Sequence, residues 1–223
     1  MLRKIIASRT DGVIFLGRPT GLENEYHLDE LAKAKIPVVL TNRRFENQPF
    51  PLVYPDYHKA GAMAAAHLIQ RGCKRIAVAT KNVDTAETSE QISGFQTELE
   101  RHGMQIPVQC FFSYDDGLYF VDSVYEQIRQ KKVDAVFAVN ELIAVYLIKE
   151  LGVRGVRIPD DVAVLGFGNT VLGRLVTPML TCLDLQNTDI GVNSARVLLK
   201  MLRNQPVEKA TILEPILLVR QSA

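Results

Sequence analysis

The feature that most constrains the fold is a regular alternation of short apolar runs with longer amphipathic stretches along nearly the whole chain. The apolar runs are rich in β-branched side chains and lack polar residues at every second position. Strands of this kind are covered on both faces, which is typical of parallel sheets connected by helices. The sequence therefore predicts an α/β fold. Its predicted strands lie in the segments GVIFL, IPVVL, RIAVAT, VQCFF, DAVFAV and VAVLGF.

Helices are predicted between the strands, where apolar residues recur at helical spacing. Gly72, Gly103 and Gly152 each follow a helical stretch, at the position where a left-handed C-terminal cap is common. The last third departs from simple alternation, because a loop after GFGN leads to a strand in LTCLDL, a long helix and one final strand in TILEPILLV. The predicted helices span about residues 22–34, 57–70, 87–101, 118–130, 141–150 and 189–203.

The composition is that of a globular chain without a marked charge. Its 223 residues include 26 Lys and Arg against 25 Asp and Glu, a formal net charge of +1. This balance gives no electrostatic attraction to nucleic-acid phosphates or anionic lipid, so DNA binding by this stretch alone is not expected. Cys73, Cys110 and Cys182 are widely spaced, and we predict buried thiols in a reducing compartment rather than a disulfide or a zinc site.

The first residues, MLRKIIASRTDGVIFLG, contain no apolar core of a secretion signal, and no apolar run has transmembrane length. We therefore expect a cytoplasmic protein without a membrane partner. Enzyme motifs are not found, since GFGN is too short for a dinucleotide fingerprint and no phosphate-binding loop or nucleophile elbow occurs. His58, His67 and His102 lack metal-ligand partners at helical spacing. Neither catalysis nor a metal or other cofactor is expected.

Several segments, in one order along the chain, carry a resemblance to a known family. The main ones are DGVIFLG, IPVVLTNR, YPDYHKAGAMAAAHLIQRGCKRIAV, VFAVNELIAVYLIKELGVRGVRIPDDVAVLGF and the continuation GNTVLGRLVTPMLTCLDL. Each is similar to a segment of the effector-binding domain of the LacI/GalR family of bacterial transcription regulators. No single motif is specific to this family, but the occurrence of so many of them in one order is specific to it.

The resemblance implies two doubly wound parallel-sheet subdomains of the periplasmic-binding-protein type, joined by a hinge of three chain crossings. On this basis, residues 1–72 and 184–207 would form an N-terminal subdomain. Residues 73–183 and 208–223 would form a C-terminal subdomain. Ligands of such folds bind at the carboxyl ends of the strands.

Family members begin with a helix-turn-helix headpiece and a hinge helix, followed by a strand, a helix and a strand before the segment that resembles DGVIFLG. Met1 would fall in the helix just before that segment. We therefore expect a chain truncated at its N-terminus, with an incomplete first subdomain that lacks its central strand and exposes backbone groups. Operator DNA would be bound only through a headpiece absent from this chain.

The sugar-binding residues that the resemblance implies are only partly present. Gln91 stands where family members have an Arg three residues before a Gly. Asn140 and Glu141 stand in place of an Asn–Asp pair, and Gly168, followed by Asn169, stands in place of an Asp. Arg can chelate two ring hydroxyls through its planar fork, whereas Gln offers one donor and one acceptor end. We therefore predict a polar small-molecule site whose ligand differs from a plain hexose in identity or orientation.

Four further candidate ligand-binding residues are chosen by their place in the predicted fold. The resemblance places Tyr114 as an aromatic platform for an apolar sugar face, with Asp115 beside it. Arg18 follows the strand in GVIFL and Asp56 opens the helix at residue 57, both at predicted carboxyl ends of strands. If Arg18 and Arg43 both face the cleft, a phosphorylated sugar fits, because arginine forks suit phosphate oxygens.

Each candidate also has a structural alternative that the sequence leaves open. Asn140 is a preferred N-cap for a helix that begins at Glu141. Gln91 and Asn169 are equally compatible with solvated polar positions. Arg18 and Asp56 are compatible with surface ion pairing and helix capping.

These features predict the effector-binding domain of a LacI-type repressor or related regulator, in which a bound sugar or sugar phosphate controls operator binding by a homodimer. Such control requires the ligand to bind one subdomain arrangement more tightly than the other. The main alternative is a solute-binding protein of a transport system, which shares the fold but carries a secretion signal. A small α/β enzyme is a third alternative, and turnover would reveal it.

Overall fold

The computed structural model describes residues 2–8, 10–16, 26–42, 49–80, 85–107, 111–113 and 118–223. The chain divides into two compact units. Unit 1 comprises Met1–Asp56 and Gln186–Glu214, and unit 2 comprises Tyr57–Leu185 and Pro215–Ala223. The chain therefore crosses from one unit to the other three times, the number that the resemblance implied.

Unit 1 contains α1 (Leu2–Ala7), β1 (Val13–Phe15), α2 (Tyr26–Lys33), β2 (Val38–Thr41), β3 (Leu52–Pro55), α8 (Asn187–Leu202) and β9 (Ala210–Leu213). Unit 2 contains α3 (Tyr57–Gln70), β4 (Ile76–Thr80), α4 (Ala86–Arg101), β5 (Phe111–Ser113), α5 (Leu118–Arg129), β6 (Ala135–Ala138), α6 (Glu141–Val153), β7 (Ala163–Phe167), α7 (Leu172–Leu175), β8 (Thr181–Asp184) and β10 (Ile216–Leu218).

Unit 1 is built on a parallel sheet of order β1-β2-β3-β9. Successive side chains of a strand point to opposite faces, and β2 shows this alternation clearly. Leu40 packs with Leu31 of α2 on one face, whereas Val39 packs with Ile190 of α8 on the other. Both faces of the sheet are thus covered, as the apolar runs predicted.

Unit 2 is built on a sheet of order β10-β8-β7-β6-β4-β5, in which β10 alone is antiparallel to its neighbour. Strands β4, β6 and β7 are buried at nearly every position. Phe95 of α4 stacks on Phe137 of β6 with ring centroids 4.2 Å apart, so that α4 packs directly on the sheet. The doubly wound parallel fold predicted from the sequence is therefore confirmed.

Helices α3 and α4 approach each other closely through two glycines. A Cβ atom added to Gly61 would lie 2.0 Å from the carbonyl oxygen of Gln91, and one added to Gly94 would lie 1.9 Å from that of His58. No side chain fits at these distances, because the backbones themselves are in contact. This contact places α3 in unit 2, so the first boundary lies at Asp56 and not at residue 72 as predicted.

The C-terminal residues form an inner part of unit 2. Ser222 and Ala223 are buried, and the Ser222 hydroxyl donates to the Val164 carbonyl at 2.6 Å. The same hydroxyl accepts from the Thr181 N–H at 2.8 Å. The last residues therefore hold the adjacent strands β7 and β8 together.

Two further expectations are corrected by the structure. The predicted single strand in TILEPILLV is two strands, β9 in unit 1 and β10 in unit 2, because Pro215 has no N–H to continue a ladder. The range assigned to the C-terminal subdomain, 208–223, is therefore divided between the units. Gly152 lies inside α6, and Gly155, with a φ of +77°, follows the helix instead.

Candidate functional site

The strand order of unit 2 reverses at β4, because the chain continues to β5 on one side of β4 and then to β6 on the other. In open parallel sheets, ligands bind at the carboxyl ends of the strands next to such a reversal. Asn140 lies just beyond the end of β6, and Asn169 lies just beyond the end of β7. The carboxyl edge of the unit 2 sheet is therefore the candidate binding site.

Asn140 is the N-cap of α6. Its backbone is extended, with φ −152° and ψ 163°, and its Oδ1 accepts the N–H of Ile143 at 2.9 Å. Within the described part of the chain, its Nδ2 makes no hydrogen bond. The capping alternative is thus confirmed, and it leaves the amide NH₂ as a donor at the sheet edge.

Glu141 is buried, with 6% of its surface exposed, and its carboxylate accepts backbone N–H groups from a neighbouring loop. Oε1 lies 3.0 Å from the Thr170 nitrogen and 3.1 Å from the Gly173 nitrogen. A Cβ atom on Gly173 would lie 2.6 Å from the same oxygen. Glu141 therefore positions residues 168–173, the loop that leads into α7 together with the start of that helix. Its carboxylate is already hydrogen-bonded to backbone N–H groups, and its role as a ligand contact stays a prediction.

Asn169 lies between two charged residues. Its Nδ2 donates to Asp184 Oδ2 at 2.9 Å, and its Oδ1 accepts from Arg220 Nη2 at 2.6 Å. Arg220 also donates through Nη1 to the Leu180 carbonyl at 2.8 Å. Both ends of the Asn169 amide are therefore hydrogen-bonded to side chains of unit 2, and its role as a ligand contact stays a prediction.

Arg220 and Asp184 were not among the predicted site residues. Asp184 ends β8, so the rule that selected Asp56 at a strand's carboxyl end would also have selected Asp184. Arg220 follows an apolar strand near the chain end, where a lone cation gives no local signal of its partner. These two residues and Asn169 form one hydrogen-bonded group on unit 2.

Gln91 lies on α4 and is buried, with 5% of its surface exposed. Among the described residues, its Oε1 has no hydrogen-bond partner. The solvated alternative is therefore wrong for Gln91. A buried amide oxygen without a hydrogen bond is unfavourable, so this oxygen could accept one from a ligand. The role of Gln91 as a ligand contact stays a prediction.

The remaining candidates are one residue of unit 1 and three residues outside the described ranges. Asp56 belongs to unit 1, where its backbone N–H donates to the Leu213 carbonyl at 2.9 Å. Its predicted ligand role is untested. Arg18, Tyr114 and Asp115 lie outside the described residues, as does Arg43.

Two thiols of unit 2 are kept protonated by their surroundings. Burial raises the pKa of Cys182 to about 11; Arg220 lowers it, whereas Glu141 and Asp184 raise it. Burial also raises the pKa of Cys73 to about 11, with Asp134 adding to the effect. Both are free thiols, as predicted, but only Cys182 is fully buried and Cys73 is half-buried. Cys110 lies outside the described residues. A thiol with such a pKa is a poor nucleophile at neutral pH.

In the described ranges, no group of three or more His, Cys, Asp or Glu side chains is arranged to hold a metal ion. Within the same ranges, no helix combines the length and the hydropathy of a membrane span.

The fold and the polar sheet edge define a two-unit α/β domain of the ligand-binding kind. Residues 65–223 match the family model of the periplasmic binding protein-like domain. The chain belongs to this family, in the form found in LacI-type regulators.

Curated relatives match nearly the whole chain. Catabolite control protein A of Priestia megaterium is 28% identical over 96% of this chain and 65% of its own length. The HTH-type transcriptional regulator DegA of Bacillus subtilis (strain 168) is 29% identical over 96% of this chain and 64% of its own. The chain thus spans about two thirds of their length or slightly less. The first is named as a control protein and the second as a transcriptional regulator.

Solved structures show the same fold. A transcriptional regulator CelR–cellobiose complex has a TM-score of 0.82 and 26% identity, covering 100% of this chain and 68% of that one. A sugar-binding LacI-family regulator from Escherichia coli, complexed with phosphate, has a TM-score of 0.83 and 23% identity, covering 100% and 80%.

Proposed function

We propose that this chain is the ligand-sensing domain of a DNA-binding transcription regulator and that it binds a sugar or sugar phosphate. The observation that carries the proposal is that a relative named as an HTH-type transcriptional regulator matches 96% of the chain. A regulator of the same fold has been solved with cellobiose. The transport alternative finds no comparable support in these names.

The polar groups of unit 2 support a hydroxyl-rich ligand. A sugar hydroxyl both donates and accepts a hydrogen bond, so it suits an edge that combines amide, carboxylate and guanidinium groups. Asn140 offers a free NH₂ donor, while Asp184 and Arg220 are held in place through Asn169. Arg220 would in addition favour a ligand that carries negative charge, such as a sugar phosphate.

In this proposal, the ligand acts by stabilising one arrangement of the two units over another. A ligand shifts such an equilibrium only by its differential affinity for the two arrangements. Operator binding would then be carried out by a homodimer of the longer protein through DNA-binding headpieces. Ligand binding is the step of this proposal that can be tested with this chain.

The test is a thermal-shift screen with neutral sugars, sugar phosphates and sugar acids, followed by titration calorimetry. A ligand at a hundred times its Kd should add roughly 2.7 kcal/mol to the stability of the folded chain. The matched variant is Asn140→Asp, since Asp is an equally good N-cap but offers no NH₂ donor. We expect Asn140→Asp to fold normally and to bind about tenfold more weakly.

Asn193→Asp on α8 in unit 1 is the control for the change of amide to carboxylate. It should leave ligand binding unchanged. Failure of every compound to raise the melting temperature would reject the sensing proposal. Equal binding by wild type and Asn140→Asp would keep the sensing function but remove Asn140 from the site.

A further inference from the structure

Three polar residues of unit 2 form a hydrogen-bonded group beside the points where the chain leaves that unit and returns to it. The chain leaves unit 2 after Leu185 and returns at Pro215. Asp184 ends β8, directly before the chain leaves, and Arg220 follows β10, the strand that begins directly after the return. Asn169 is hydrogen-bonded to both. We call Asp184, Asn169 and Arg220 the polar bridge.

The polar bridge lies across three neighbouring strands. The sheet order places β8 between β10 and β7. Asn169 follows β7 on one side of β8, and Arg220 follows β10 on the other. The Arg220 side chain reaches along β8, because Nη1 lies 2.8 Å from the Leu180 carbonyl oxygen and 3.4 Å from Cys182 Sγ. Its Nη2 then meets Asn169 Oδ1 at 2.6 Å. The bridge thus joins side chains from the ends of all three strands.

The chemistry of the bridge fixes the orientation of the Asn169 amide. A guanidinium has only donors and a carboxylate has only acceptors, so the amide oxygen must face Arg220 and the NH₂ must face Asp184. Both hydrogen bonds have a charged partner, which makes them stronger than bonds between neutral groups. All three residues are half-buried, so water competes less for these bonds than at an open surface.

The backbone pairing of the same segments is short. Strand β10 has three residues, lies at the edge of the sheet and pairs with β8. The last pair before the chain crosses to unit 1 is Ile216 with Asp184. Strand ends at a sheet edge are among the first parts of a fold to open. The bridge adds a side-chain link at this end of the ladder, where backbone hydrogen bonds stop.

We propose that the polar bridge holds the two segments of unit 2 that lead to these crossings as one rigid element. A change in the arrangement of the two units must take place where the chain crosses between them. With the bridge intact, the ends of β8 and β10 stay part of the unit 2 sheet, and bending falls on the residues beyond them. Asn169 is then a positioning residue, since it acts through Asp184 and Arg220. The bridge needs no bound ligand, so its failure would leave the sensing proposal standing.

Hydrogen-exchange mass spectrometry of the whole chain without ligand tests this proposal. Asn169→Asp places a second carboxylate against Asp184, and the two repel each other, so exchange in residues 182–184 and 216–218 should become about tenfold faster. Asn169→Asp with Asp184→Asn exchanges the two groups, which restores a carboxylate facing an NH₂ and keeps the net charge of the wild type. The double variant should return exchange to within about twofold of the wild-type rate.

Asn193→Asp on α8 makes the same chemical change in unit 1, where the amide donates to the Asp189 carbonyl, and should leave these residues of unit 2 unchanged. Strand β6 is the internal reference and should exchange at the wild-type rate in every variant. If circular dichroism shows Asn169→Asp unfolded, Asn169→Ala takes its place, because it removes the bridge without adding a repelling charge.

Three results would overturn the proposal. The first is unchanged exchange in β8 and β10 when Asn169 is replaced. The second is a double variant that exchanges as fast as Asn169→Asp, since the two groups would then not act as a pair. The third is an equal rise in β6, because the substitution would then lower the stability of all of unit 2 and not loosen the segments at the crossings.

Discussion

Units 1 and 2 share one plan of sheet and helices, but two polar side chains of one unit are placed in the opposite way to two of the other. In unit 2, Glu141 and Ser222 are buried and their oxygens are hydrogen-bonded to backbone groups of distant segments. On α8 of unit 1, Arg196 and Lys200 are exposed and have no ion pair within the described residues. The difference teaches that polar groups of the first kind hold backbone in place, whereas those of the second kind are available to other molecules.

Glycines within helices of the two units also differ in how closely other atoms approach them. In unit 2, Gly94 lies in backbone contact with α3. In unit 1, Gly191 of α8 has no atom within 4 Å of the position where a Cβ would be. Gly94 thus serves close packing of two helices, whereas Gly191 has no steric role.

The largest effect is expected from Gly94→Ala. Its Cβ would overlap the His58 carbonyl, so α3 and α4 must move apart, at a cost of roughly 3 kcal/mol. Urea denaturation followed by circular dichroism measures this loss. The control, Gly191→Ala, should instead stabilise the chain by about 0.5–1 kcal/mol, because alanine favours the helix. Equal effects of the two variants would contradict the close contact.

Glu141→Ala should be the next most damaging change. It leaves the N–H groups of Thr170 and Gly173 without their acceptor, which costs about 2 kcal/mol. Hydrogen-exchange mass spectrometry should show faster exchange in residues 168–173. Glu141→Gln keeps one carbonyl acceptor and should lose about half as much. Glu208→Ala, at an exposed position of unit 1, should change nothing; unchanged exchange in Glu141→Ala would argue against the positioning role.

Local patterns in the sequence predicted most of the fold. The range Tyr57–Gln70 predicted for α3 is the observed one. Strand β3 was not predicted, because Pro51 and Pro55 interrupt its short apolar run. The pairing of β9 and β10 with different sheets depends on distant partners, so the run TILEPILLV could not reveal it.

In the candidate site too, contacts between residues close in sequence could be predicted, whereas contacts between distant residues could not. Asn140 as an N-cap could be predicted, since its partner is the N–H of Ile143, three residues away. The pair of Asn169 with Arg220 is separated by 51 residues, and it forms only because the C-terminal segment pairs with β8. Reading single positions cannot find such a contact, because neither residue carries a local signal of the other.

Ser222→Ala tests the buried C-terminal segment and should have a moderate effect. It removes the donor to Val164 and the acceptor for Thr181, at a cost of about 1–2 kcal/mol. Ser194→Ala is the matched buried serine in unit 1, where the hydroxyl donates only to the Ile190 carbonyl one turn back on the same helix. Because such a bond adds little to a helix, Ser194→Ala should be nearly neutral. The difference between the two free energies of unfolding is the quantity to measure.

The smallest effect is expected from Arg196→Ala on α8. Since its guanidinium has no partner in the described structure, the free energy of unfolding should stay within about 0.5 kcal/mol of the wild-type value. Arg220→Ala is the same substitution in unit 2, and it removes hydrogen bonds to Leu180 and Asn169 worth about 1.5 kcal/mol. If Arg196→Ala costs as much as Arg220→Ala, then Arg196 contributes to the stability of unit 1 as a hydrogen-bonded residue would. If only Arg220→Ala is destabilising, the buried polar contacts of unit 2 contribute to folding and the exposed cation of α8 does not.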